Sequence, residues 1–222
     1  MTTDKEIIAK YMEVLEENPE LKDLFLKLED ENELLTGQSE VLLALNECLE
    51  EKSAIDGVTR LFNKNYFNEI FPVECQRAAR KETEISLIMI DMDGYKRYND
   101  TYGHAAGDTL LRGIADEIKQ YVRNIDIVCR YGGDEYAVIL PYTNMDRATE
   151  VAERIRKGIE KLQCGVTLSL GVASYKGGKE DSRNKNIINA CSEVLFKMAD
   201  DAMYQAKGEG KNRFCKFAYP LE

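Results

Sequence analysis

The order of apolar patterns predicts an α+β protein on the split βαβ, ferredoxin-like plan: a central, mostly antiparallel sheet flanked by helices, preceded by a short α-helical segment. Three observations carry this. After residue 53 the apolar spacing switches between a period near two and a period near 3.6, in the order β-α-β-β-α-β. Gly132-Gly133 joins two of the strand-like runs as a tight turn. Before residue 53 the apolar stripes are helical throughout.

The first segment, residues 1–53, reads as three short helices. Ile7, Ile8, Tyr11, Val14 and Leu15 form one stripe, and Asn18-Pro19 then supplies an N-cap and a first-turn proline for a second. Its Leu21, Leu24, Phe25 and Leu28 fall at i, i+3, i+4 and i+7. A third helix follows Gly37, capped by Ser39, with Leu42, Leu45 and Leu49 as its stripe. Helices this short are marginal alone, so their apolar faces pack on each other, on the next domain, or on a second copy of the chain. Both a self-contained helical cap and a dimerising or signal-carrying module fit.

Residues 54–222 form the second domain. A helix capped by Asn63 carries Tyr66, Phe67, Ile70, Phe71 and Val73 and runs to about Arg80; the strand Ile85–Asp91 follows. Next come a helix around Gly107–Tyr121 and a strand Ile125–Tyr131, which the glycine turn joins to a strand Tyr136–Leu140. A helix spans about Asp146–Leu162, and Val166, Leu168, Leu170 and Val172 alternate as a half-buried strand. The last helix, Ile187–Lys207, stops at Gly208 and Gly210, and Phe214–Phe217 reads as an edge strand.

Composition removes several classes of function. Of 222 residues, 44% are hydrophobic and 32% charged, which is globular, and no apolar run exceeds about the length of Ile85–Ile90, far short of the roughly 20 residues a membrane helix needs. Six widely spaced cysteines, a lone histidine and no secretory leader after Met1 argue against a zinc site and for reduced thiols in the cytoplasm. The net charge of −10 sits wholly in residues 1–53, with 15 acidic against 5 basic side chains, leaving 25 against 25 beyond. With no basic stripe, nucleic acid is a poor partner. A small charged ligand held by a metal ion remains open.

In the split βαβ plan the first and third strands are antiparallel neighbours at the centre of the sheet. Asp91 and Asp93 therefore end beside Asp134 and Glu135, and four clustered carboxylates repel unless a cation sits among them. Mg²⁺ is the natural occupant, being hard and completing its shell with substrate phosphates. A lone Asp-x-Asp mostly caps a turn. A Gly-Gly-Asp-Glu bend on the facing hairpin shifts the balance toward a metal-assisted phosphoryl transfer.

Arg130-Tyr131-Gly132-Gly133-Asp134-Glu135-Tyr136 resembles the signature of the GGDEF family, the diguanylate cyclases, and the resemblance extends over about Asp56–Phe217. Asp56-Gly57-Val58-Thr59-Arg60-Leu61-Phe62-Asn63-Lys64 is similar to the family's opening motif, and Asp91-Met92-Asp93-Gly94-Tyr95-Lys96 to its strand-end metal and phosphate motif. Asn99, Gly103-His104 and Gly107-Asp108 fit the guanine-binding stretch; Ala206-Lys207 and Gly210-Lys211-Asn212-Arg213 fit the C-terminal phosphate-binding stretch.

The resemblance implies a palm-type GGDEF domain that converts two GTP into cyclic di-GMP and two pyrophosphates, using Mg²⁺ (or Mn²⁺). It implies metal ligation by the Asp91 and Asp134 side chains and the Met92 carbonyl. Glu135 would be a further ligand or the group that helps deprotonate the 3′-hydroxyl, and Asp93 a structural acid. Lys96, Lys207 and Lys211 would meet phosphates. Asn99 and Asp108 would read the base, since a carboxylate accepts both N–H donors of guanine and is repelled by the ring nitrogen of adenine. His104 holds loop shape. Because each 3′-hydroxyl attacks the other nucleotide, two domains must face each other, which makes a homodimer the working unit.

Arg123-Asn124-Ile125-Asp126 resembles the family's RxxD product-inhibition site; the ordinary reading is a salt bridge at a helix end. Arg60, Tyr136 and Lys211 depart from the commonest pattern, where glycine, phenylalanine and arginine are usual. Tyr136 is expected to place its hydroxyl at the rim, and Lys211 to lose bidentate geometry. The rival function is a non-catalytic receptor for GTP or cyclic di-GMP, which the intact acidic signature disfavours.

Overall fold

The computed structural model describes residues 19–52, 54–178 and 185–217. The chain divides after Lys52 into two compact units. Among the described residues no helix is long and apolar enough to cross a membrane.

The described part of the first unit is one continuous helix of 34 residues, α1 (Pro19–Lys52), where two helices separated at Gly37 were expected. An interior glycine costs only about 1 kcal/mol relative to alanine. The leucines, glutamates and lysines on either side are strong helix formers, and the Thr36 hydroxyl returns to the Asn32 carbonyl at 2.7 Å. Gly37 and Ser39 therefore lie inside the helix instead of marking its start. Leu24, Leu28, Leu34, Leu35 and Leu42 are exposed along α1. The stripe expected at Ile7–Leu15 lies outside the described residues.

The second unit begins with an opening turn and α2 (Lys64–Lys81), whose N-cap, Asn63, accepts from the Tyr66 amide at 3.0 Å. Then follow β1 (Glu84–Asp93), α3 (Tyr95–Tyr102), α4 (His104–Gln120), β2 (Ile127–Arg130), β3 (Glu135–Pro141), α5 (Met145–Leu162), β4 (Thr167–Lys176), α6 (Lys185–Gly208) and β5 (Arg213–Lys216). The sheet order is β2-β3-β1-β4-β5. All neighbours are antiparallel except β4 and β5. This is the expected split plan with an added parallel edge strand.

Strand alternation divides the core into two layers. Ile88, Ile90 and Met92 of β1 join Leu111, Ile114 and Ile118 of α4 and Ala152 and Ile155 of α5 on one face. Ile85, Leu87 and Met89 meet Phe67 and Phe71 of α2 and Leu195 and Ala199 of α6 on the other. Because both faces are covered, β1 is buried along nearly its whole length. Its C-terminal end is thus a rigid place to hold polar side chains.

Helix α3 is a feature the periodicity did not reveal. It starts after Gly94, at φ 85°, ends at Gly103, at φ 83°, and has no fully buried residue, so it lacks the apolar stripe by which helices are recognised. Strand β2 starts later than expected because residues 123–126 close a turn, the Asp126 amide donating to the Arg123 carbonyl at 2.9 Å. Tyr136 is fully buried, and its hydroxyl donates to the Leu111 carbonyl at 3.1 Å instead of reaching the rim.

Candidate active site

Asp91 of β1 stands opposite Glu135 of β3 in the antiparallel register, and the Met92 amide donates to the Asp134 carbonyl at 3.1 Å. Directly opposed residues project to the same face of a sheet, so the two carboxylates share the side covered by α2 and α6. Helix α6 brings the counter-charge. Lys207, in its last turn, places Nζ 2.7 Å from Asp91 Oδ2.

The electrostatics follow from this crowding. Burial pushes the Asp91 carboxyl above its ordinary value; Lys207 opposes the shift, while Asp134 and Asp93 add to it. Glu135 is raised in the same way, first by burial and then by Asp91, with Lys207 again opposing and Asp134 and Asp200 adding. For Lys207 burial works against the charge, yet its hydrogen bond to Asp91 and the surrounding carboxylates raise its pKa overall. The ammonium therefore offsets only part of the acidic repulsion. Asp91, Asp134, Glu135 and the Met92 carbonyl offer hard oxygens of the kind a divalent cation prefers, and they are the groups that would hold one. Among the described residues no three acidic, histidine or cysteine side chains are gathered as a ready-made metal site.

Asp93 has a different environment. Its carboxylate accepts from Thr167 Oγ1 at 2.8 Å, Ser169 Oγ at 2.7 Å and the Asn212 amide at 3.1 Å. With its oxygens saturated, Asp93 ties β1 to β4 and to the loop after α6. That loop holds Gly210, Lys211 and Asn212 at positive φ, and the Asn212 side chain is bound in turn by Arg156 and Glu160. Lys211 is thus exposed on a braced turn.

The bend itself is held from behind by residues to which the sequence reading gave no role. Arg130 donates to the Gly133 carbonyl at 2.7 Å and to both oxygens of Asp56 at 3.2 Å. Asp56 also accepts from the Thr59 amide and hydroxyl, at 2.7 and 2.6 Å, and these bonds with Arg130 outweigh burial to hold its pKa below the usual carboxylate value. The opening turn thereby clamps the Gly132–Glu135 bend. Asp56 and Arg130 both lie in quoted motifs, but 74 residues separate them and no local spacing signals the pair. Within the bend, a Cβ at position 132 would fall 2.5 Å from Glu135 Oε2. A larger residue there would push that carboxylate out of its present position.

Asn99 on α3 and Asp108 on α4 flank a second group of polar atoms. Asn99 Oδ1 is buried without a hydrogen-bond partner, an arrangement that costs free energy unless a ligand supplies a donor. Gly107 makes it possible, since a Cβ there would lie 1.8 Å from that oxygen and 3.0 Å from the Tyr95 hydroxyl. Asp108 is half-buried, while Lys96 and His104 are exposed.

Arg123 and Asp126 face each other. The guanidinium contacts Asp126 at 2.8 and 3.2 Å and also reaches Thr143 Oγ1 at 2.6 Å and the Pro141 carbonyl at 3.3 Å. The Asp126 side chain is only 1% exposed beneath it. In this conformation the pair is the internal salt bridge of the ordinary reading.

Residues 53–213 match the family model of the diguanylate cyclase GGDEF domain. The chain belongs to the GGDEF-domain family. Among relatives, diguanylate cyclase A of Treponema denticola is 37% identical over 178 residues, covering 76% of this chain and 45% of the relative. Diguanylate cyclase DosC of Escherichia coli is 34% identical over 187 residues, covering 79% and 38%. The chain thus spans less than half the length of these relatives. Among solved GGDEF structures, the coiled coil and GGDEF domain of DgcB from Caulobacter crescentus, in complex with c-di-GMP, superposes with a TM-score of 0.65 at 27% identity, covering 85% of this chain and 98% of that one. Diguanylate cyclase SiaD of Pseudomonas aeruginosa, in complex with its activator SiaC, superposes with a TM-score of 0.64 at 28% identity, covering 94% and 78%.

Proposed function

We propose that this GGDEF chain is a diguanylate cyclase that condenses two GTP into cyclic di-GMP with release of two pyrophosphates, using Mg²⁺ and working as a homodimer. The observation that carries the reading is the pairing of Asp91 with Glu135 across the central strands, with Lys207 closing on them. A divalent cation bound there would neutralise phosphate charge and lower the pKa of the attacking 3′-hydroxyl. Glu135 would receive that proton or join the metal's ligands, and its raised pKa brings it closer to a working base. Lys207, Lys96 and Lys211 supply mobile positive charge for the phosphates.

Asn99 and Asp108 select guanine. The Asn99 carbonyl oxygen lacks a donor and guanine offers N–H groups, so base binding would satisfy a group that folding leaves unpaired. One such site holds one nucleotide, and cyclisation needs a second facing it. Helix α1 supports pairing. Leu28, Leu35 and Leu42 recur at the coiled-coil heptad interval and are exposed, and Leu21 and Leu49 continue the series in sequence. A paired helix raises the effective concentration of one half-site beside the other. Product feedback at Arg123 and Asp126 requires their salt bridge to open so that both groups meet ligand.

The test is incubation of the pure chain with GTP and Mg²⁺, followed by assay of pyrophosphate and dinucleotide. Two pyrophosphates per cyclic dinucleotide, abolished by Glu135→Gln, support the cyclase. GTP binding without either product supports a receptor instead.

A further inference from the structure

Four aromatic rings, those of Phe67, Phe71, Tyr131 and Phe196, line a cavity of about 520 Å³ between α2 and α6. Ring centroids stand 5.1 Å apart for Phe67 and Phe71, 5.2 Å for Phe67 and Tyr131, and 5.1 Å for Tyr131 and Phe196. Phe67 and Phe71 are buried, whereas Tyr131 and Phe196 are half-buried at the mouth. Rings that served only as core would close on one another and leave no opening of this size.

The sequence supplies a reason for the opening. Pro72 stands in the interior of α2 and lacks the amide that would close on the Asn68 carbonyl one turn earlier. Its ring also pushes that carbonyl aside, and Asn68 and Pro72 both line the cavity. A backbone acceptor deprived of its helical donor therefore lies at the wall beside the aromatic faces.

Charge gives a second, independent pointer to the occupant. Glu193 of α6 lines the cavity, is exposed and forms no ion pair among the described residues, and no basic side chain lines the cavity with it. Lys64 Nζ lies 4.6 Å from the Tyr131 ring centroid, so one ring of the cluster already takes a cation. Burial, then the charges of Glu135 and Asp200, raise the pKa of the Tyr131 hydroxyl, which places two further carboxylates within electrostatic reach of that ring. The surroundings repel an anion and attract a cation with N–H donors.

We propose that this cavity binds a small organic cation, a primary ammonium carrying an apolar or aromatic body. The ammonium meets the face of Phe196, since Lys64 holds Tyr131, and donates to the Asn68 carbonyl and the Glu193 carboxylate. The body packs against Phe67, Phe71 and Tyr131. The volume falls within the range of small-molecule sites, about 300–1,000 Å³, and a bare ammonium would leave most of it empty.

The experiment is calorimetric titration of the full chain at neutral pH with 2-phenylethylammonium, and with 2-phenylethanol as a neutral probe of the same body. The ammonium is expected to saturate one site per chain at millimolar concentrations, and the alcohol to bind at least about tenfold more weakly. Phe196→Leu keeps an apolar side chain but removes the π face, and affinity for the ammonium should fall about fivefold. Glu193→Gln should weaken binding about threefold and remove most of its salt dependence. Pro72→Ala restores the amide that bonds the Asn68 carbonyl, so this variant should melt higher than the parent while binding the ammonium at least about threefold more weakly. Weaker binding in a more stable variant does not come from a damaged fold. Equal affinities for ammonium and alcohol overturn the cation assignment and leave an apolar cavity. Parental affinity in both Phe196→Leu and Pro72→Ala places the probe elsewhere and overturns the proposal, as does the absence of saturable binding.

Discussion

Lys207 Nζ lies 2.7 Å from Asp91 Oδ2, so the ammonium at the end of α6 occupies a carboxylate oxygen that the proposed metal ion would need. Ammonium and divalent cation are alternatives at one carboxylate, and when phosphates arrive the lysine can move to them. Lys207→Met should therefore lower the melting temperature of the metal-free protein by about 1–3 °C, a small effect because the pair is partly solvated. Mg²⁺ alone should then stabilise the variant more than the parent. Equal Mg²⁺ shifts in both, measured by differential scanning calorimetry, would show that the two cations do not compete.

Glu135 gives a pH-dependent version of the same conflict. Its pKa is raised in the fold, so the native state binds its proton more tightly than the unfolded chain does. Stability is therefore lost as pH rises from the ordinary carboxylate value, about 4.3, through the raised one, and the penalty is complete above the latter. With chelator present, Glu135→Gln should melt about 1–3 °C higher than the parent at pH 7, with the gain vanishing near pH 4. Turnover should fall at least about 100-fold in the same variant. A constant difference across that pH range would mean that Glu135 carries no strain from its neighbours.

Gly107→Ala probes the proposed base site without touching a charge. The new methyl would collide with the Asn99 side-chain oxygen, the movable end of a side chain, so Asn99 should turn away and the fold should survive. GTP binding should weaken about tenfold while the melting temperature changes by less than about 3 °C, and Asn99→Ala should show the same affinity loss. Unchanged GTP affinity in both variants would remove Asn99 from the site.

The split βαβ plan and the meeting of Asp91 with Glu135 were legible because both rest on short-range signals: apolar alternation through Ile85–Ile90 and a glycine turn before Asp134. Features set by partners distant in sequence were not. Asp93 is saturated by Thr167, Ser169 and Asn212, which lie 74, 76 and 119 residues away. Tyr136 was expected at the rim because it begins a strand, but that position faces the α4 layer, where the Leu111 carbonyl satisfies its hydroxyl. Helix α3 has no buried stripe to announce it, and Gly37 looked like a boundary only because a local penalty is visible in sequence while the propensity of a long helix accumulates over many residues.

Helix α1 yields the last prediction. Leu28, Leu35 and Leu42 are exposed one heptad apart, and a stripe with that repeat buries itself when a second helix supercoils against it. If the two GTP-bearing domains meet only as a pair, activity per chain must track the dimer fraction. Leu35→Glu puts a carboxylate into the middle of the seam and should shift sedimentation from dimer toward monomer. At a protein concentration where the parent is paired, its rate per chain should fall at least about tenfold, and raising the concentration should recover part of it. Because Leu35 lies in the first unit and lines no nucleotide site, GTP affinity should stay at the parental level. A parent that is monomeric at working concentrations, with a rate per chain that does not rise with concentration, would rule out pairing through this helix.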